Sequence, residues 1–368
     1  GWLGPITAIV TMLLLTLTIK EAMNMYNSRH LTSYKQLFMN LYSPFKAVEV
    51  LFEVFFYIMV LMAVSAAISG AASALADQLA INYYIGVVLV AVVFALTIFG
   101  ADLVRKAPTY MGIGILVTSI LIFTIGIFMT GDVAGTTTVT AAMENDFMAN
   151  GFAKLPQAIL YAVIYAGFQC VVIPTMIVVG TPLVTRKNCA TSMWFSFAMN
   201  AVALTLSVCM LLGWTGVYGK SPLPTLTSCQ AMGMPWLTVV YSICLLLCLV
   251  STGVTTVFGF TARFSEVQPL KKISRSSVIR SAMVTFFIIL LSMTVSLAGL
   301  TNIIKYGYGY CGYLAIAIII VPFLTVGWYK NKRYATDAAY KARIDQMNAR
   351  PESTEEYAPV AETMKETI

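Results

Sequence analysis

Two stretches of this chain carry residues whose types and spacing could do chemistry: Tyr165–Pro174, YAGFQCVVIP, and Cys248–Gly259, CLVSTGVTTVFG. Each lies in a run apolar enough to cross a membrane, where a polar group is costly unless something engages it. In the first, Gly167 would let the chain leave helical geometry, and Pro174 could begin a second half-helix, where its missing N–H costs nothing. Gln169 places an amide between them, and Tyr165 and Phe168 add aromatic surface. A helix interrupted at bilayer depth has open N–H groups at one half-helix start and open C=O groups at the other's end. Such groups suit a carboxylate or another polar solute without placing a full charge in the membrane. The same residues also fit a proline kink packed among neighbours, so two readings stand.

The second stretch sets hydroxyls at Ser251, Thr252, Thr255 and Thr256, pairing at i,i+4 into two adjacent rows of oxygen. Hydroxyl and carbonyl oxygens are hard ligands that suit a small hard cation. The alternative is ordinary for membrane helices: each hydroxyl bonds its own preceding turn or a neighbouring helix. Glu49 and Glu53, one turn apart at the start of an apolar run, fit terminal ion pairs or a proton relay. No hydrolytic triad, metal cluster or phosphate loop can be assembled, so the expectation is that this is not an enzyme. The seven cysteines show no disulfide or metal spacing, and His30, the only histidine, has no partners for a metal site.

The elements that must position these residues follow from composition. Of 368 residues, 59% are hydrophobic and only 11% charged, and mean hydropathy is +0.81, outside the range of soluble domains. Nine apolar runs long enough to cross a bilayer as helix are expected near 3–26, 45–76, 81–103, 109–130, 155–182, 188–213, 235–262, 278–298 and 302–329. A polar tail, 330–368, follows. The net charge of +7 does not point to nucleic acid, because the basic residues sit in short loops between runs. Arg29, Lys35, Arg105, Lys106, Arg186, Lys187, Lys271, Lys272, Arg275, Arg280, Lys330, Lys332 and Arg333 all fall on one side under strict alternation. That pattern places the tail in the cytoplasm and Gly1 outside, in a plasma membrane. An external start without an export signal suggests that one further span precedes Gly1.

Between the first two runs, 27–43 mixes apolar and polar residues at helical spacing and reads as an interfacial helix. Ala66, Gly70 and Ala74 form a small-residue face for close helix contact. The loops 131–151 and 214–235 fit lids over a vestibule or solvated linkers.

Taken together, YAGFQCVVIP, STGVTTVFG and the loop pattern resemble the YkvI-type membrane proteins of the amino acid-polyamine-organocation superfamily. The resemblance covers nearly the whole apolar region. It implies an all-α LeuT-like fold of two inverted five-helix repeats (5+5), with the nine spans here as helices two to ten and the first helix missing. Tyr165–Pro174 would be the unwound part of helix six, with Tyr165, Gly167, Phe168 and Gln169 facing a solute and Tyr57 and Val60 on the opposite wall. Ser251 and Thr252 would match a sodium-coordinating hydroxyl pair, with Thr255 and Thr256 as second choice. Span 109–130 contains no Lys or Arg, where proton-coupled relatives can place a lysine, so sodium is favoured. The implied function is an ion-coupled, alternating-access transporter of a small organic solute, an amino acid or related compound. The rival is a non-transporting membrane sensor or assembly protein with a packing kink in 155–182.

Overall fold

The computed structural model describes residues 1–96, 101–183, 185–264, 268–274 and 276–349. Among these residues every regular element is helical. Seven helices are long and apolar enough to span a bilayer: Gly4–Ser28, Glu49–Leu79, Leu155–Ile177, Arg186–Gly213, Pro235–Val257, Val278–Ser296 and Leu300–Thr336. The expected spans 81–103 and 109–130 are also helical, but their apolar described portions, Tyr83–Ala95 and Gly112–Phe128, are shorter. Seven spans are thus evident where the sequence pattern predicts nine. Residues 97–100, Arg275 and the tail from 350 lie outside the described residues.

In chain order the helices are α1 (Gly4–Ser28), α2 (Tyr34–Tyr42), α3 (Glu49–Leu79), α4 (Tyr83–Leu96), α5 (Ala101–Phe128), α6 (Val139–Asn150), α7 (Leu155–Gln169), α8 (Ile173–Val179), α9 (Arg186–Gly213), α10 (Thr215–Tyr218), α11 (Pro224–Ala231), α12 (Pro235–Phe264), α13 (Gln268–Ile273) and α14 (Ser277–Ser296). The last span, Leu300–Thr336, and a terminal helix, Ala338–Ala349, complete the described chain. Local chemistry sets several of the ends. Pro5 opens α1 and Pro156 opens α7, each in the first turn, where no N–H is needed. Ser33 caps α2 by accepting from Gln36 N at 3.2 Å, and Thr185 caps α9 by accepting from Asn188 N at 3.1 Å.

The end of α1 is a Schellman turn: Leu31 N donates to Tyr26 O at 3.0 Å and His30 N to Asn27 O at 3.3 Å, with His30 left-handed at φ 50°. Of the stretch 27–43, residues Tyr34–Tyr42 form the helix α2, which buries Leu37, Phe38 and Leu41, while Asn27 and Ser28 belong to α1. The 214–235 connection is no solvated linker. It folds as α10 and α11, burying Leu226 and Cys229 beside Trp214, whose indole N–H donates to Gly126 O at 2.9 Å. The 131–151 loop holds α6, which has no buried residue.

Three apolar clusters organise the bundle. One joins α1, α2, the start of α3, α7, α8 and the last span; a second joins the far half of α3 with α4, α12 and α14; a third caps α5, α11 and α12. α1 lies along α9, and α3 lies along α12. Outside these clusters, Ile85, Val88, Leu89 and Val92 of α4 and Phe286 and Phe287 of α14 are each more than half exposed. An apolar belt of this kind is at home in lipid, not water. The protein is a multi-pass membrane protein.

Candidate functional site

The interruption expected in 155–182 is present, but its form and position differ from the expectation. α7 continues through Gly167 to Gln169, a 3-10 turn covers Cys170–Val172, and α8 resumes at Ile173 with Pro174 in its first turn. Gln169 (φ −64°, ψ −17°) and Cys170 (φ −62°, ψ −8°) stay right-handed, so the chain tightens without unwinding. Gly167 is therefore not the residue that releases the helix. It is buried and helical, and a Cβ there would lie 2.5 Å from Gly312 O. Its missing side chain serves a close crossing with the last span.

Three of the four residues expected on this wall come together. The Tyr165 and Phe168 rings lie 4.9 Å apart between centroids, and Gln169 Nε2 donates to the Tyr165 hydroxyl at 3.3 Å. Phe168 also meets Tyr308 edge-on at 5.1 Å. Tyr308 ends a π-helical stretch, Ile303–Tyr308, the first of three in the last span; the others are Ile316–Ile320 and Phe323–Gly327. Wider helical turns free backbone groups and recur at functional sites. Tyr165, Phe168, Gln169 and Tyr308 are each only partly buried, leaving an aromatic and amide surface beside the 3-10 turn.

The residues expected on the opposite wall lie on α3, which contacts the 3-10 turn Cys170–Val172. Tyr57 packs against Phe264 at 5.1 Å and Phe260 at 6.3 Å, tying α3 to α12, and Val60 is buried at 2% exposure. In α12 the hydroxyls serve their own helix. Ser251 donates to Cys248 O at 3.1 Å, Thr255 to Ser251 O at 2.8 Å and Thr256 to Thr252 O at 2.7 Å. That pattern spends the protons and keeps oxygen lone pairs, so the hydroxyl row retains the donor type that sodium requires. Gly253 between them is pressed on the Phe94 ring of α4. Among the described residues, no group of three or more His, Cys, Asp or Glu side chains gathers for a metal.

Sequence reasoning missed a buried polar hub at the other end of α1. Glu21, Arg29, Asn40 and Asn331 are 2–4% exposed. Asn331 Nδ2 donates to Glu21 Oε2 at 2.9 Å, and its Oδ1 accepts from Arg29 NH2 at 3.4 Å. Arg29 NH1 reaches Asn40 Oδ1 at 3.1 Å, and the guanidinium stacks over the Tyr334 ring at 5.2 Å. Burial lowers the Arg29 pKa from its ordinary value, with Tyr340, Tyr334 and Asp345 opposing. Lys330 Nζ caps α2 through Asn40 O, Leu41 O and Ser43 O at 2.7–3.0 Å. The hub fastens α1, α2, the last span and the terminal helix together, the last through Asn348 to Asn40 at 3.0 Å. One signal was available in the sequence: Lys20 and Glu21 sit inside the first apolar run, where charge is rare. The chain matches no protein-family model and no curated protein.

Proposed function

We propose that the chain is an ion-coupled secondary transporter of a small organic solute, an amino acid or a related compound. The observation that carries this reading is the partly buried Tyr165–Phe168–Gln169–Tyr308 surface, set where a span tightens into a 3-10 turn opposite a π-helical stretch. Tyrosine hydroxyls and an amide can hold a polar solute inside a bundle, while the rings cover its apolar part.

The arrangement of elements supports two related halves. α1, α2 and α3 form a span, a short helix with a buried face and a long span; α9, α11 and α12 repeat that order. With nine crossings α1 and α9 run in opposite directions, as an inverted repeat of the LeuT-like kind requires. In this reading the loops rich in Arg and Lys, and the C-terminus, face the cytoplasm of a plasma membrane. Sodium held at Ser251 and Thr252 supplies the coupling. One charge moving down 100 mV releases ~2.3 kcal/mol, enough for about fiftyfold accumulation of solute.

The rival is a membrane protein that transports nothing, and the Gly167–Gly312 crossing favours it, because packing already accounts for Gly167. Thermal unfolding of the full protein in detergent separates the two, screened against amino acids with sodium or with potassium in its place. A solute at ~100 times its dissociation constant adds about 2.7 kcal/mol of stability. A solute shift that requires sodium supports coupled transport. A melting midpoint that no solute moves in either salt supports the packing rival.

A further inference from the structure

The terminal helix Ala338–Ala349 is fastened to the bundle where α1 and the last span end. Asp337, extended at φ −114° and ψ 103°, separates it from the last span. Asp345 Oδ1 accepts from the Tyr334 hydroxyl at 2.6 Å, and Asn348 Oδ1 accepts from Asn40 Nδ2 at 3.0 Å. The Asn40 amide fits only one way round, because its Nδ2 also donates to Gln36 O at 2.9 Å while its Oδ1 accepts from Arg29. Through these bonds the helix holds α2 directly, and it fixes the Tyr334 ring on which the Arg29 guanidinium lies. Against the burial that lowers the Arg29 pKa, Tyr340 and Asp345 of the same helix favour its charged form.

The attachment is slight for the number of elements it joins. A helix of 12 residues is marginal by itself in water, so this one depends on docking to stay folded. Among its described residues Ile344, at 5% exposure, is the one buried apolar side chain. Asn348 Nδ2 and Arg29 Nε are buried without a hydrogen-bond partner, an imperfect fit that raises the free energy of the docked state. Elements held by few buried apolar contacts are the ones that open locally while the rest of a fold stays intact.

Beneath the attachment lies the apolar cluster of α1, α2, α7, α8 and the last span. Between Gln169 and this end of the bundle, Cys170, Ile173 and Ile177 are fully buried, and Phe38 of α2 meets Phe323 of the last span edge-on at 5.7 Å. Phe168 and Tyr308 of the candidate surface pack against the same cluster. We propose that the terminal helix is a latch: docked, it pins α2 and the last span to the end of α1 and keeps this end of the bundle shut; released, it lets α2 loosen and uncovers the cluster. In the transport reading this makes the helix an autoinhibitory element on the way to the Phe168 surface, but the latch itself does not rest on that reading.

The test is amide hydrogen exchange, followed by mass spectrometry, on the full protein in detergent. The wild type is compared with Ile344→Asp, which puts a charge at the buried contact, and with Asn348→Ala, which removes the bond to Asn40. Gln346→Ala, exposed on the same helix, is the control. Ile344→Asp leaves every side chain of α1, α2 and the last span in place, so a change in α2 is transmitted by undocking. The expected result is exchange faster by about tenfold or more across 338–349 in both variants, with faster exchange across 34–42 as well, and unchanged rates in Gln346→Ala. Exchange that quickens in 338–349 while 34–42 keeps its wild-type rate makes the helix a passenger and overturns the proposal. Wild-type rates in both segments of Ile344→Asp overturn it too, because the helix then does not depend on docking. No solute enters the measurement, so either outcome leaves the transport reading to its own test.

Discussion

Gly167 of α7 and Gly312 of the last span cross so closely that a Cβ on either would strike backbone, 2.5 Å from Gly312 O in one direction and 2.6 Å from Ile164 O in the other. Small residues at both positions let two helices approach until their main chains touch, the usual way membrane helices gain dispersion contact. Alanine at either position forces the helices apart. Gly167→Ala and Gly312→Ala are each expected to destabilise by about 1–3 kcal/mol, read as a lowered midpoint in detergent. Gly309→Ala is the control, since nothing lies within 4 Å of its Cβ position. It should change stability by less than about 0.5 kcal/mol.

Gln169 distinguishes a solute-binding surface from a packed kink. Its amide bonds Tyr165 one turn back and is only partly buried. Gln169→Cys, in a chain whose native cysteines are replaced, is expected to react with a membrane-impermeant thiol reagent, and a bound solute should slow the reaction. Labelling that fails in every salt and with every solute counts for packing alone.

Much of the fold was legible because membrane helices are written in long apolar runs, and the limits of α1, α9 and α12 fall within about three residues of their hydropathy. The short amphipathic helix α2 was legible from its period. The form of the break was not. Gly, Gln and Pro announce an interruption, but a 3-10 turn and an unwound segment use the same letters, and the close neighbour that accounts for Gly167, Gly312, lies more than a hundred residues away. The partners of Tyr57 are likewise tertiary facts, whereas the back-bonding of Ser251 and Thr255 is local and was one of the two readings that the sequence offered. The hub around Arg29 was hidden for another reason. A basic residue after a span signals topology by default, and only the fold shows that this one is buried among Asn40, Asn331 and Tyr334.

Ala80 ends α3 in the left-handed region at φ 53° and is exposed. An L-residue there brings its Cβ against the following carbonyl, a strain that glycine avoids. Ala80→Gly is expected to stabilise by about 0.5–1 kcal/mol despite the greater freedom glycine gives the unfolded chain. An unchanged or lowered unfolding midpoint would contradict this.

Asp337 makes the terminal helix sensitive to acid. Its Oδ1 accepts from Tyr340 N at 2.9 Å, capping the helix Ala338–Ala349, and its Oδ2 accepts from Arg333 Nε at 3.1 Å. The backbone bond first, and the guanidinium second, hold this carboxyl below its usual range. A depressed folded pKa means that the stabilisation is complete above the ordinary carboxylate value and fades as pH falls through the folded one. Amide exchange across 338–349 should therefore accelerate on acidification beyond the intrinsic rate change. Asp337→Asn keeps an acceptor for the cap and should remove the pH dependence, whereas Asp337→Ala should loosen the helix at every pH.

Arg29 is the residue on which the end of α1 depends. It is 3% exposed and serves α2 through Asn40 and the last span through Asn331. Arg29→Met keeps the volume but leaves two buried amide oxygens without their donor, and it strips Tyr334 of its stacked cation. Removing one member of a buried charged network costs about 3–5 kcal/mol. Arg29→Lys should recover little, because a single ammonium cannot reproduce the planar fork that meets Asn40 and Asn331 together. The readout is the unfolding midpoint alongside protease sensitivity of the terminal helix, which Asn348 ties to the same Asn40. Both should change together in Arg29→Met; a lowered midpoint with the helix still protected would separate that helix from the hub.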